Sequence, residues 1–282
     1  MTTKIVEEGY WFSKIPSKRW AEKFFLFYSP VWITVFSLIV ATGAYKSFYD
    51  VEFFILGLVV SLPCVIYPLL FPCAADKGKP ILERYWVKAN IWIALFGFVG
   101  NYFWTHYFFV LLQATYRFPV EFKLNEVPVM LYFVTHAYFI SYHAATTPIL
   151  RRYWTAFGGR DNRTFLKTVG SILIVCAMAY FTAFMEAWTI SSVPYYHIED
   201  RTKMYTIGST FYMLYFVISF PMFARIDETG PKHNEKWNIS RAALEGLGSA
   251  MIVFILCDFW RLAIGSLNGE QVGQVFIGKS GV

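Results

Sequence analysis

Charge is what this sequence has least of. Asp, Glu, Lys and Arg make up 16% of its 282 residues, against 56% apolar and 21% aromatic, which leaves too little polar surface to clothe one water-facing globule. A lipid bilayer is therefore the expected solvent. Cysteine is nearly as sparse: Cys64, Cys73, Cys176 and Cys257 all sit in apolar stretches without CxxC spacing, which speaks against a disulfide framework or a thiolate metal site. Histidine stops at five, His106, His136, His143, His197 and His233, short of the dense clusters that di-iron desaturases and oxidases need. There is no GxSxG, haem-thiolate loop or phosphate loop, and Gly246 and Gly248 lack the strand, turn and helix of a dinucleotide fingerprint, so helix packing is the expected role of these two glycines. No cofactor and no metal is expected. Redox chemistry and acyl transfer are disfavoured, while proton transfer, hydrolysis and transport remain open.

What the chain has is long apolar runs. Seven of them, at about 24–45, 53–73, 89–116, 127–150, 168–190, 204–224 and 242–265, reach the roughly 20 residues a helix needs to cross a bilayer. Segment 1–23 is charged and aromatic instead of showing a cleavable signal, so the first run is expected to direct insertion. Basic residues supply a check: alternate connections, beginning with the amino-terminal segment, hold 18 of the 25 Lys and Arg, the opposite set holds 6, and Arg261 lies inside the seventh run. By the positive-inside rule the amino terminus is cytoplasmic. The expected fold is an all-α integral membrane protein, a bundle of about seven transmembrane helices spanning 24–265 between a cytoplasmic segment 1–23 and a tail 266–282. The net charge of +6 then reflects topology and anionic lipid, and no nucleic acid is expected as a partner. Short connections leave no room for a soluble domain. Pro63, Pro68 and Pro72 should kink or unwind the second run, with a cavity possible nearby. The loops 76–80 and 158–162 carry ordinary turn chemistry. Nothing in the sequence speaks to oligomeric state.

Ionisable side chains inside a bilayer are costly and hence functional candidates. These are His106, His136, His143, Glu186, Glu245, Asp258 and Arg261. At about 1.5 Å per residue, His106 and His136 come near the midplane, Glu186 and Asp258 lie in the half away from the cytoplasm, and Glu245 lies at the cytoplasmic interface. His136 and His143 share one face of the fourth run with Tyr132, and each can equally serve packing as a satisfied neutral imidazole. Asp258 and Arg261 are three apart, which favours mutual neutralisation. Glu186 has no basic residue three or four positions away; a carboxyl without a countercharge in a dry site keeps its proton, the condition for a general acid.

Four strings, YFWTHYFF (102–109), TH at Thr135 and His136, FPMFARIDE (220–228) and DFWRL (258–262), resemble the cycloeucalenol cycloisomerase family, and the likeness extends over nearly the whole chain. The resemblance implies a cofactor-free isomerase in a multi-pass endoplasmic reticulum membrane setting, with a sterol as substrate. The bond from C9 to the bridging C19 breaks as C19 takes a proton, and a proton leaves C8 to form the C8 double bond. Such a site needs a desolvated acid and aromatic faces that tolerate a cation at C9. Glu186 is expected as the acid with Asp258 as alternative, and His136 or His106 as relay or base. Trp104, Tyr107, Tyr132, His143, Trp188 and Trp260 are expected to contact substrate or cation. A sterol double-bond isomerase and a non-enzymatic lipid-binding or transport protein are the competing readings. A receptor is disfavoured by the short loops and the cytoplasmic amino terminus.

Overall fold

Pro16 fixes the first turn of α1 (Pro16–Thr42), and Gly43, at φ 70°, ends it in the left-handed conformation while its N–H returns to the Val40 carbonyl. The computed structural model describes residues 10–156, 164–191, 193–228, 236–270 and 272–273; the loop at 158–162 and His233 lie outside them. Helix α2 (Asp50–Ser61) and α3 (Pro63–Leu70) meet at a 45° bend, the kink expected from the proline run. Helix α4 (Tyr85–Val99) passes through a π-helical segment, Gly100–Trp104, into α5 (Thr105–Leu111). Gln113 then turns to φ 51° and the chain becomes strand β1 (Ala114–Tyr116), so the third apolar run does not stay helical to residue 116. A small hairpin, β2 (Lys123–Leu124) with β3 (Val127–Pro128), turns at Asn125 and Glu126, both at positive φ. Asn and a two-residue loop suit that primed turn.

Helix α6 (Val129–Ala156) follows, then α7 (Phe165–Ile190), strand β4 (Tyr196–Ile198), a single turn α8 (Arg201–Lys203), a second π segment (Met204–Gly208), α9 (Ser209–Ala224) and α10 (Ile239–Ala263). Strand β4 pairs antiparallel with β1, setting Tyr116 opposite Tyr196. Among the described residues, four helical stretches are long and apolar enough to cross a membrane: Pro16–Thr42, Phe165–Ile190, Arg201–Ala224 and Ile239–Ala263. The bent α2–α3 pair makes a fifth if it is one span. The protein is thus helical, with membrane-spanning character in several helices. Of the other two expected runs, the third is interrupted by the π segment. The fourth corresponds to α6, long enough but diluted by its His, Ser, Thr and Arg residues.

Helix α6 touches α1, α2, α4, α7 and α9, while α10 packs on α4 and α9. The approach of α10 to α4 is close at Gly246, where a Cβ would come within 3.2 Å of the Trp92 carbonyl oxygen, which assigns this glycine to helix packing. Helix α7 is a peripheral helix with two faces. Its buried side is small, Val175, Ala179, Ala183 and Ala187, and presses on α9; its outer side exposes Leu173, Phe181 and Trp188, as lipid contact demands.

One end of the bundle carries a buried ionic cluster. Lys18 pairs with Glu228 at 2.7 Å, Arg151 grips Glu228 at 2.8 Å and also Glu22, and Lys88 pairs with Asp227. The Lys18 ammonium further donates to the Ala224 carbonyl at 3.0 Å, and Lys88 to that of Trp237 at 3.0 Å. Five of the six residues are buried, and the Glu228 side chain is only 6% exposed. Thus α1 begins eight residues before the expected span, and one face of its first two turns, Ser17, Lys18, Ala21 and Glu22, is buried in the protein. Three basic residues counted toward loop charge hold helices α1, α4, α6 and the end of α9 together.

Candidate active site

The π segment after α4 breaks the regular turn of the helix and sets which face follows it. Gly100, Asn101, Thr105 and Phe108 line one cavity with Thr135, Tyr138 and Phe139 of α6, Glu186 and Ile190 of α7, Tyr212 and Tyr215 of α9, and the β1–β4 pair. The hollow takes in about 870 Å³ of space between atoms, a figure that includes open solvent at its mouth. Its lining is mostly aromatic. Thr105 Oγ1 donates to the Gly100 carbonyl at 3.3 Å and Asn101 Nδ2 to that of Gly97 at 2.9 Å, so carbonyls in and before the bulge are met by side chains.

Glu186 reaches this cavity because it stands three residues beyond Ala183 and one before Ala187, beside the alanine face that seats α7 on α9. The side chain as a whole is half-buried, yet Oε2 is cut off from solvent and has no hydrogen-bond partner among the described residues. The phenol groups of Tyr142 and Tyr212 lie beside the carboxyl and interact with it. No cation pairs with it among the described residues. A carboxyl so placed, dry and facing hydroxyl donors, can lend a proton to a bound molecule.

The other residues expected at the site lie elsewhere. His136 Nε2 bonds Asn90 Oδ1 at 2.7 Å, while Asn90 Nδ2 donates to the carbonyls of Cys64 (3.1 Å) and Trp86 (2.8 Å). With both amide hydrogens so used, the Oδ1 must accept and His136 must donate. His143 is fully buried among Trp92, Phe220 and Phe223, its Nδ1 2.6 Å from the Phe139 carbonyl. His106 meets Asn125 of the β2–β3 turn and the Phe109 ring. Asp258 is bound by Arg261 at 2.7 Å and by the Tyr107 hydroxyl at 3.2 Å, the mutual neutralisation its spacing favoured. Trp104 packs between Phe96 and Tyr215, Tyr132 donates to the Leu124 carbonyl at 2.9 Å, Trp260 meets Phe211, and Trp188 is 53% exposed on the outer face of α7. None of these lines the cavity.

The residues the sequence reading missed are tyrosines. Thr135, Tyr138 and Tyr142 form a stripe on α6 one residue out of phase with His136 and His143, about 100° around the helix. The histidine stripe meets α4, with His143 also against Phe220 and Phe223 of α9, and the tyrosine stripe meets α7 and another part of α9. The signal was the spacing of those tyrosines, hidden in a chain with 19 of them.

No family model matches the chain, and no solved structure does. It is 43% identical over 265 residues to cycloeucalenol cycloisomerase from Arabidopsis thaliana, covering 94% of this chain and 92% of that protein. The chain belongs to the cycloeucalenol cycloisomerase family. Likeness over that much of both chains makes this protein an isomerase of sterol biosynthesis.

Proposed function

We propose that this protein opens the 9,19-cyclopropane ring of a cyclopropyl sterol to give a sterol with a C8 double bond, in the cavity beside α7, with Glu186 as the acid. The C9–C19 bond breaks, C19 takes the carboxyl proton, C8 loses a proton, and its electron pair closes the double bond to C9. No electrons are gained or lost overall. What carries the reading is the position of Glu186: a carboxyl oxygen without a partner, shielded from water, on the wall of a hollow lined by Phe108, Tyr138, Phe139, Tyr212 and Tyr215. A strained carbon bond is a feeble base, so the acid must be desolvated and held against it. Aromatic faces stabilise the cation at C9 by about 2 kcal/mol or more when desolvated. The tyrosines now fill the place first expected for Trp104, Tyr107, Trp188 and Trp260, while His106, His136, His143, Tyr132 and Asp258 support the frame.

The same proposal places seven crossings in an endoplasmic reticulum membrane, with the amino terminus and the ionic cluster on the cytoplasmic side and the β1–β4 pair on the other. It treats 24–265 as one membrane domain. The threefold excess of basic residues in alternate connections supports this topology. The deciding experiment feeds a cyclopropyl sterol to microsomes holding the protein and follows the C8 alkene by mass spectrometry. The parent is expected to form it, and Glu186→Gln, expressed and folded, to form it more than tenfold more slowly. Turnover within tenfold of the parent would remove Glu186 as the acid. Conversion of an alkene substrate but of no cyclopropyl sterol would favour a double-bond isomerase, and binding without product a non-catalytic protein.

A further inference from the structure

The reaction moves two protons, one to C19 and one from C8, and a donor and an acceptor must be found for them. Among the described residues, the carboxyl and imidazole side chains on the cavity wall are those of Glu186 and His197. His197 belongs to β4, opposite Thr115 in the strand pair at the cavity's edge. The histidines of α5 and α6 are occupied away from the cavity by Asn125, Asn90 and the Phe139 carbonyl. Glu186, by contrast, has two phenol hydroxyls beside its carboxyl, those of Tyr142 and Tyr212, one from each helix facing α7.

Resting on the reading above, we propose that Glu186 is both acid and base: the carboxyl that protonates C19 takes back the proton from C8, and Tyr142 and Tyr212 hold the carboxylate between the two steps. C19 and C8 are both bonded to C9, and in the steroid skeleton the bridging carbon and the C8 hydrogen lie on the same face. One carboxyl lying over that face therefore reaches both atoms with little movement. When Glu186 gives up its proton it becomes a buried anion, which needs donors at once. The two phenols supply them without ionising, since an unperturbed phenol releases its proton only near pH 10. Charge balances at each stage: carboxylic acid and neutral sterol, then carboxylate and C9 cation, then carboxylic acid and alkene. The cycle ends with Glu186 protonated for the next molecule. Tyr142 and Tyr212 are positioning residues, since they act through the carboxylate and not on the sterol.

A sterol bearing deuterium at C8 tests this, mixed with an equal amount of unlabelled sterol and turned over at saturating concentration in ordinary water by the intact protein in lipid nanodiscs. A carboxyl that takes the label from one molecule and hands it to the next places deuterium in the C19 methyl group of products formed from the unlabelled sterol. Deuterium there above natural abundance is the expected result; its absence at saturation, with ring opening proceeding normally, overturns the proposal. Failure of the parent protein to open the ring at all removes the underlying reading instead, so the two failures are distinguishable. In His197→Gln the transfer of label from C8 of one molecule to C19 of the next is expected to persist; its loss while ring opening continues makes His197 the base and overturns the shared role of Glu186. Tyr142→Phe with Tyr212→Phe is expected to lower kcat by tenfold or more while KM stays within threefold. A KM change alone would reduce the phenols to wall material and overturn their part.

Discussion

Proline 68 has no amide hydrogen, and the carbonyl it fails to bond, four residues back, is that of Cys64. Asn90 of α4 donates to that oxygen at 3.1 Å, and His136 of α6 closes the chain on Asn90 at 2.7 Å. A histidine that reads as a catalytic candidate from depth alone is thus the last member of a three-helix polar link that mends a proline break. Asn90→Leu strands both the carbonyl and the imidazole, and a buried group left without its partner costs about 1–3 kcal/mol. Both Asn90→Leu and His136→Leu are expected to lower the thermal unfolding midpoint in detergent, with the double variant less destabilised than the two effects added, because they remove one network. Additive losses would show that the two side chains act separately. Glu186 contrasts with this pair. Its spacing from any basic residue could be read in the chain; the two phenols beside it could not, since they come from α6 and α9.

At the scale of elements, the ionic cluster and the α7 seam hold the site in place. Arg151 joins Glu22 of α1 to Glu228 after α9, so Arg151→Met leaves two buried carboxylates short of a cation, a change that typically costs about 3–5 kcal/mol. A large fall in unfolding midpoint is expected. Glu228 also sets a pH dependence. Burial pushes its carboxyl up, but the charge of Lys18 and the hydrogen bonds and charge of Arg151 outweigh it and hold the group at about 2, below the ordinary 4.5. Because the folded value is depressed, the stabilisation is fully present above about pH 4.5 and is lost as pH falls through about 2. Unfolding midpoints measured between pH 6 and pH 2 should fall over the lower part of that range in the parent and fall less in Glu228→Gln, which starts lower. Along the other side, Ala183→Leu overfills the α7–α9 contact, at about 1–3 kcal/mol, and shifts Glu186 with its helix. Ring opening is expected to drop more than the stability change alone explains, read as activity per folded molecule.

For the whole molecule, the arrangement of polar groups follows the membrane. One end gathers Lys18, Lys88 and Arg151 in ion pairs, the other carries the β1–β4 pair that edges the cavity, and lipid-facing positions such as Leu173 and Phe181 stay apolar. The proposed topology makes a direct expectation for single cysteines introduced at Glu83 or Lys236 and at Lys46 or Lys123. In sealed microsomes a membrane-impermeant maleimide should label the first two from the cytoplasmic side and reach the second two only after the vesicles are opened. Labelling of all four from one side would break the alternation on which seven crossings rest.

By itself the amino-acid sequence determined the solvent, the helical class and the family, because apolar run length, scarce charge and strings such as YFWTHYFF are properties of consecutive residues. It also marked the kink in the second run, since a missing amide hydrogen is a local fact, and the isolation of Glu186, since a helix neighbour is three or four positions away. Tertiary structure alone decided what those residues meet. The π segment at Gly100–Trp104 is a choice of hydrogen-bond register that composition does not encode, and it chooses which residues of α5 face the cavity. Whether the tyrosine stripe or the histidine stripe of α6 lines the hollow depends on a rotation of about 100°, which is fixed only when α4, α7 and α9 pack around it. Burial of Lys18 and Lys88, indistinguishable in sequence from loop lysines, waited on carboxylates more than a hundred residues away.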